Sequence, residues 1–186
     1  MSLIENNHSL PQSIRVFFAV FPDKTVQAQL AQEADALKTT CGGRAVKPQH
    51  LHLTLLFIGD INTERIETLK QAMNNVSINR FELQLSKLRY WKHNHIVFID
   101  AEKYPSELFL LVTVLKRALV DTGFTFDRRE YKPHITLIRK ATHSIGPNLT
   151  QLTQSIHWHV DHWSLIQSKF IPSGVNYIPL HHWHLK

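Results

Sequence analysis

The chain has 186 residues, 43% of them hydrophobic, and a formal net charge of +6. That length and apolar share suit one domain, or two lobes sharing a core, and argue against disorder. No run approaches the roughly 18 apolar residues of a membrane-spanning helix. The single cysteine, Cys41, rules out an intrachain disulfide and suits a reducing compartment. The polar start MSLIENNHSLPQSI lacks the basic-then-apolar order of a signal peptide. A cytoplasmic protein with an anionic partner is the expectation.

Residues 1–13 are expected to form a loose tail. The run Arg15-Val16-Phe17-Phe18-Ala19-Val20-Phe21 suits a buried strand closed by Pro22. Asp23 is placed to cap a helix whose Val26, Leu30, Ala34 and Leu37 form one stripe and which Cys41-Gly42-Gly43 stops. The link that follows carries Arg44 and Lys47 into LHLTLLFIG. Strict alternation there puts Leu51, Leu53, Leu55 and Phe57 on one face and His52, Thr54 and Leu56 on the other, with Gly59-Asp60 ending the strand. A helix from Asn62 or Thr63 follows, with Ile66, Leu69, Met73 and Val76 at helical spacing.

Residues 81–88 alternate with period two, and residues 90–94 read as a turn into a strand over 95–99. A helix over 107–120 carries Leu108, Leu111, Val112, Leu115 and Leu119 so densely that most of its circumference should be covered. The charged approach FDRREYKP precedes HITLIRK, and Pro133 favours an extended Lys132. Residues 142–155, with Gly146-Pro147, read as a loop or poor helix. Extended stretches over 158–166 and 175–183, joined by a Pro172-Ser173-Gly174 turn, close the chain. This alternation predicts an α+β fold of two pseudo-two-fold lobes, each an antiparallel-rich sheet with helices outside and a cleft between.

Two phrases, His52-Leu53-Thr54-Leu55 and His134-Ile135-Thr136-Leu137, then stand out. With 13 histidines, roughly one His-x-Thr is expected by chance, so the signal is the shared context of strand, branched residue and leucine. His and Thr two positions apart share a strand face. Two such pairs could supply a neutral imidazole to take a proton, a charged one to give it, and hydroxyls to hold phosphate oxygens. That chemistry needs no metal. The His157/His159 and His182/His184 pairs lack the cysteines, carboxylates or His-Glu-x-x-His helix of a zinc site and read as exposed strand histidines. Cys41 has no evident base to activate it.

At these phrases the chain resembles the two-histidine (2H) phosphoesterase superfamily, in particular bacterial RNA 2′,3′-cyclic phosphodiesterases, long called 2′-5′ RNA ligases. RVFFAV, LHLTLLFIG, YKPHITLIRK and the ending from Leu165 through Ser168, Gly174, Tyr177 and Trp183 to Leu185 carry the resemblance. It implies one bilobal domain over 1–186 that hydrolyses a terminal 2′,3′-cyclic phosphate to a 2′-phosphate without cofactor. It casts His52 as proton donor, His134 as acceptor, and Thr54 and Thr136 as phosphate ligands. Arg139, five positions after the second histidine, is implied on the nucleotide, although strict alternation turns it away from His134. Lys132 and Phe17 are further substrate-binding candidates. RNA ends, tRNA halves or cyclic nucleotides are the implied substrates, with weak reversible 2′-5′ joining, and a monomer is expected. The alternatives are an RNA-end or tRNA-binding module without catalysis, and a 2′-5′ oligoadenylate phosphodiesterase.

Overall fold

The computed structural model describes residues 12–146, 150–172 and 174–186. Most of the expected loose tail, with His8, lies outside them, as do Pro147 and Ser173 of the expected turns. The tail's last residue is not loose, because Ser13 already belongs to the first strand. In chain order the elements are β1 (Ser13–Val20), α1 (Lys24–Cys41), β2 (Arg44–Ala45), β3 (Leu53–Asn62), α2 (Ile66–Met73), β4 (Phe81–Trp91), β5 (Ile96–Ala101), α3 (Ser106–Asp121), β6 (Ile135–Arg139), β7 (Gln151–Val160), β8 (His162–Ile171) and β9 (Gly174–His184).

Two antiparallel sheets result. One runs β3-β1-β8-β9 and the other β2-β6-β5-β4-β7. The helices begin and end where their chemistry dictates. Asp23 accepts a hydrogen bond from the Val26 amide at 2.9 Å, and Asn62 accepts one from the Glu64 amide at 2.9 Å, each satisfying an orphan donor of a helix start. The α1 stripe of Val26, Leu30, Ala34 and Leu37 is buried as its spacing requires. It packs against β6, β2 and β7, so the helix that leaves the first sheet covers the second. Conversely, α3 leaves the second sheet and lies on β3 beside α2. The crossing merges the two lobes into one large apolar core.

Several expectations need correction. The α3 stripe is buried as read, but Phe109, Leu110 and Val120 are 44%, 52% and 58% exposed, because only the side facing β3 and α2 is covered. Residues 151–155 extend β7 instead of forming a loop, with Gln151 opposite Lys87. The stretch over 158–166 is two strands, since the chain changes sheets at Asp161. Gly59 does not end β3; with φ 96° it sits at a bulge, and the strand runs on to Asn62.

Bulges decide which side chains reach the cleft. In β3, Thr54 lies opposite Ala19 and Leu56 opposite Phe18, so Leu55 is an extra residue. In β6, Thr136 lies opposite Phe98 and Ile138 opposite Val97, leaving Leu137 extra. In β4, Leu85 lies opposite Ala101 and Lys87 opposite Asp100, leaving Ser86 extra. One added residue shifts the two-residue side-chain period by a single step, so later side chains change face. Consecutive burial of Leu55 and Leu56, of Leu137 and Ile138, and of Leu85 and Ser86 is the mark it leaves.

Candidate active site

His52 and His134 occupy the same local position, each immediately before its motif strand. Each is held in the same way. His52 Nδ1 lies 2.7 Å from the His50 carbonyl oxygen, and His134 Nδ1 lies 2.7 Å from that of Lys132. A carbonyl can only accept, so both rings carry a hydrogen on Nδ1 and leave Nε2 as the working nitrogen. The Thr54 hydroxyl is 3.1 Å from His52 Nε2 and donates to it in the neutral ring.

The two imidazoles share one electrostatic environment. Burial pushes His52 down to about 4, against the help of its His50 hydrogen bond, and the charges of Arg139, His134 and His50 lower it further. His134 is also lowered, chiefly by burial and then by Arg139, while the carboxylate of Asp100 pulls it back up. Arg139 and His134 both lower His52, so the second phrase lies within electrostatic reach of the first. With the added residue at Leu137, Arg139 returns to the face of Thr136, which removes the objection raised by strict alternation.

Their surroundings differ. Phe21 stacks on His52 with ring centroids 5.1 Å apart, while Phe17 and Tyr177 lie 5.3 and 5.2 Å from it. His134 instead meets Trp91 edge-on at 4.5 Å and Phe98 at 5.6 Å. His134 has a polar scaffold behind it. The Tyr104 hydroxyl donates to the Pro133 carbonyl at 2.9 Å, one residue before the imidazole, and accepts from the Ala101 amide at 3.3 Å. Asp100, the group that raises His134, is braced by Arg89 at 2.8 Å.

A cleft of about 380 Å³ opens between the sheets, with Thr54, Phe57, Trp91, Lys132 and His134 in its wall. The candidates are placed unequally around it. Phe17 is 2% exposed and lies 5.3 Å from His52 with no open face for a base, which corrects its place among the substrate-binding candidates. Lys132 contributes its carbonyl to His134, while its ammonium pairs with Glu130 at 3.2 Å. Phe57, expected in the core, is 48% exposed and lies 5.7 Å from Phe17. Sequence reasoning missed Trp91, Phe57, Phe21 and Tyr177. Trp91 had been read as part of a turn, but β4 carries it, and the added residue at Ser86 turns it toward His134. The step of three from Leu85 to Leu88 across Ser86-Lys87, where the apolar spacing had been two, is the available signal.

Among the described residues, no three His, Cys, Asp or Glu side chains are grouped to hold a metal. The histidines near the chain end have other partners. His159 pairs with Glu82, His162 with Asp161 at 2.6 Å, and the Nδ1 of His182 lies 2.7 Å from the Ser164 hydroxyl.

The family model described as LigT-like phosphoesterase matches residues 20–98 and again 99–177, each segment holding one His-x-Thr phrase. An RNA 2′,3′-cyclic phosphodiesterase of Escherichia coli is 27% identical over 173 residues, which is 92% of this chain and 96% of the relative. One from Thermus thermophilus is 26% identical over 182 residues, covering 93% and 91%. The crystal structure of E. coli LigT complexed with 3′-AMP superposes with a TM-score of 0.84 at 25% identity, over 93% of this chain and 98% of that one.

Proposed function

The chain belongs to the LigT-like phosphoesterases, and from that premise we propose that it hydrolyses the 2′,3′-cyclic phosphate at an RNA end to a 2′-phosphate. The observation that carries this reading is the matched pair of imidazoles, each fixed through Nδ1 to a backbone carbonyl so that Nε2 is its working nitrogen. Relatives named for the same activity, and the likeness to E. coli LigT complexed with 3′-AMP, support it.

In the proposed reaction, His134 Nε2 takes a proton from water as its oxygen attacks phosphorus. The bond from phosphorus to the 3′ oxygen breaks on the opposite side, and His52 Nε2 gives that oxygen a proton. A proton enters one imidazole and leaves the other, so the pair is reset by exchange with solvent. The Asp100 carboxylate favours the imidazolium that forms on His134, which suits the acceptor role. His52, pushed down to about 4, is a strong acid once charged, and an anionic phosphate beside it favours that charged form. The hydroxyls of Thr54 and Thr136 donate to the non-bridging oxygens, and Arg139 offsets their charge. Tyr177, Phe21 and Phe17 exclude water around His52, as Trp91 and Phe98 do around His134.

The test is product identification. Wild-type protein incubated with a nucleoside 2′,3′-cyclic phosphate should yield the 2′-phosphate by phosphorus NMR, and chelator should leave the rate unchanged. Binding without turnover would leave an RNA-end-binding module in place of the enzyme.

A further inference from the structure

The two-residue strand β2 pairs with the end of β6, Arg44 opposite Arg139 and Ala45 opposite Ile138. Residues directly opposite in an antiparallel pair share a face, with Cβ atoms about 5 Å apart. Ile138 is wholly buried, so the two arginines share the opposite face, the one from which the charge of Arg139 reaches His52, His134 and Tyr177. Like charges placed opposite one another repel. Four other arginines lie against carboxylates, Arg15 on Asp60, Arg89 on Asp100, Arg117 on Asp121 and Arg129 on Asp127, while Arg65 and Arg80 lie on backbone carbonyls. Among the described residues, neither Arg44 nor Arg139 has such a partner. Lys47, three residues on, has none either, and its charge lowers the nearby His50.

The backbone presses this pair together. The end of α1 is tied to the segment after β6, where the amides of Thr142 and His143 donate to the Cys41 carbonyl at 2.9 and 3.1 Å. The Thr142 hydroxyl donates to the same oxygen at 3.1 Å, and the Val46 amide donates to the Leu137 carbonyl at 2.8 Å. At Gly43, φ is 77°, and a Cβ would meet the carbonyl oxygens of both Arg139 and Lys140 at 2.7 Å. Only glycine allows so close an approach. The bases of two cationic side chains are thus held opposite one another with no carboxylate partner among the described residues, an arrangement that an external anion would relieve.

We propose that Arg44, with Lys47 beside it, forms a second phosphate subsite that receives the phosphate on the 5′ side of the terminal nucleotide while Arg139 attends the reacting phosphate. This rests on the cyclic-phosphodiesterase reading and narrows its substrate class to ends that carry a further phosphate, as any RNA oligomer does. Two arginines on Cβ atoms about 5 Å apart, each on a flexible stem, can serve two anionic groups that belong to one nucleotide. A nucleoside cyclic phosphate alone would leave Arg44 unused.

Binding of adenosine 2′-monophosphate, the product of the proposed reaction, and of adenosine 2′,5′-bisphosphate, measured by calorimetry at low salt, tests the subsite without requiring turnover. Wild-type protein should bind the bisphosphate about 10-fold tighter or more, the range of one charge-assisted contact. Arg44→Gln should bring that advantage down to about 2-fold, weaken the bisphosphate several-fold more than the monophosphate, and leave the melting temperature equal or higher, since a repulsion is removed. Arg44→Lys should restore most of the advantage. An undiminished advantage in Arg44→Gln, or none in wild type, overturns the subsite alone. Failure of the monophosphate to bind wild type overturns the activity reading and the subsite with it.

Discussion

Replacing His52 by glutamine should flatten the pH dependence of folding stability in a calculable way. Burial holds His52 at about 4 in the folded chain, against 6.5 as its ordinary value. A histidine lowered on folding binds fewer protons folded than unfolded, so its contribution is complete above pH 6.5, falls as pH drops from 6.5 toward 4, and is constant below. The proton-binding difference between those two values amounts to about 2 kcal/mol lost by pH 5 and about 3 kcal/mol by pH 4. Other titrating groups, His134 among them, are common to both proteins and cancel in the comparison. Urea unfolding of wild type and His52→Gln at pH 8 and pH 5, in buffer free of phosphate, measures it. The stability of wild type relative to the variant should fall by about 2 kcal/mol between those pH values. Parallel curves would mean that His52 is not held neutral by its surroundings, and the burial argument for the site would fail.

The charge of Arg139 depresses both imidazoles, so Arg139→Gln should raise both pKa values and move the acidic limb of the kcat/KM profile to higher pH. The same variant should weaken inorganic phosphate binding about 10-fold or more, as expected for loss of one charge-assisted contact; unchanged affinity would separate Arg139 from the phosphate. Thr136→Val keeps the side-chain shape and deletes the hydroxyl, so kcat should drop about 10²-fold with the fold intact by circular dichroism. A drop confined to KM would assign that hydroxyl to ground-state binding instead.

What the sequence made legible was what local periodicity encodes. The α1 stripe and the Asp23 and Asn62 caps depend on neighbours within a few residues, and each stands where its pattern placed it. Alternation failed where an extra residue entered a strand. Phe57, Trp91 and Arg139 all follow a bulge, and strict parity sends each of them to the wrong face. A bulge is a relation between two strands, so one strand's pattern cannot locate it without the partner's register. The same holds for the helices. An apolar stripe says that a helix is covered but not by which sheet, and the crossing of α1 and α3 is set by chain topology. Asp100 and Tyr104 escaped notice because neither lies in a motif; they matter only once β5 is known to run beside β6 and His134.

The central claim is that His52 and His134 are two halves of one proton-transfer device. Cyclic-phosphate turnover by His52→Ala, His134→Ala and the double variant tests it most directly. Each single variant should lose about 10²–10⁴-fold or more, and the double variant should be scarcely worse than either, because a device that needs both groups is already broken by the loss of one. Losses that multiply in the double variant, or near-normal turnover by either single one, would contradict it.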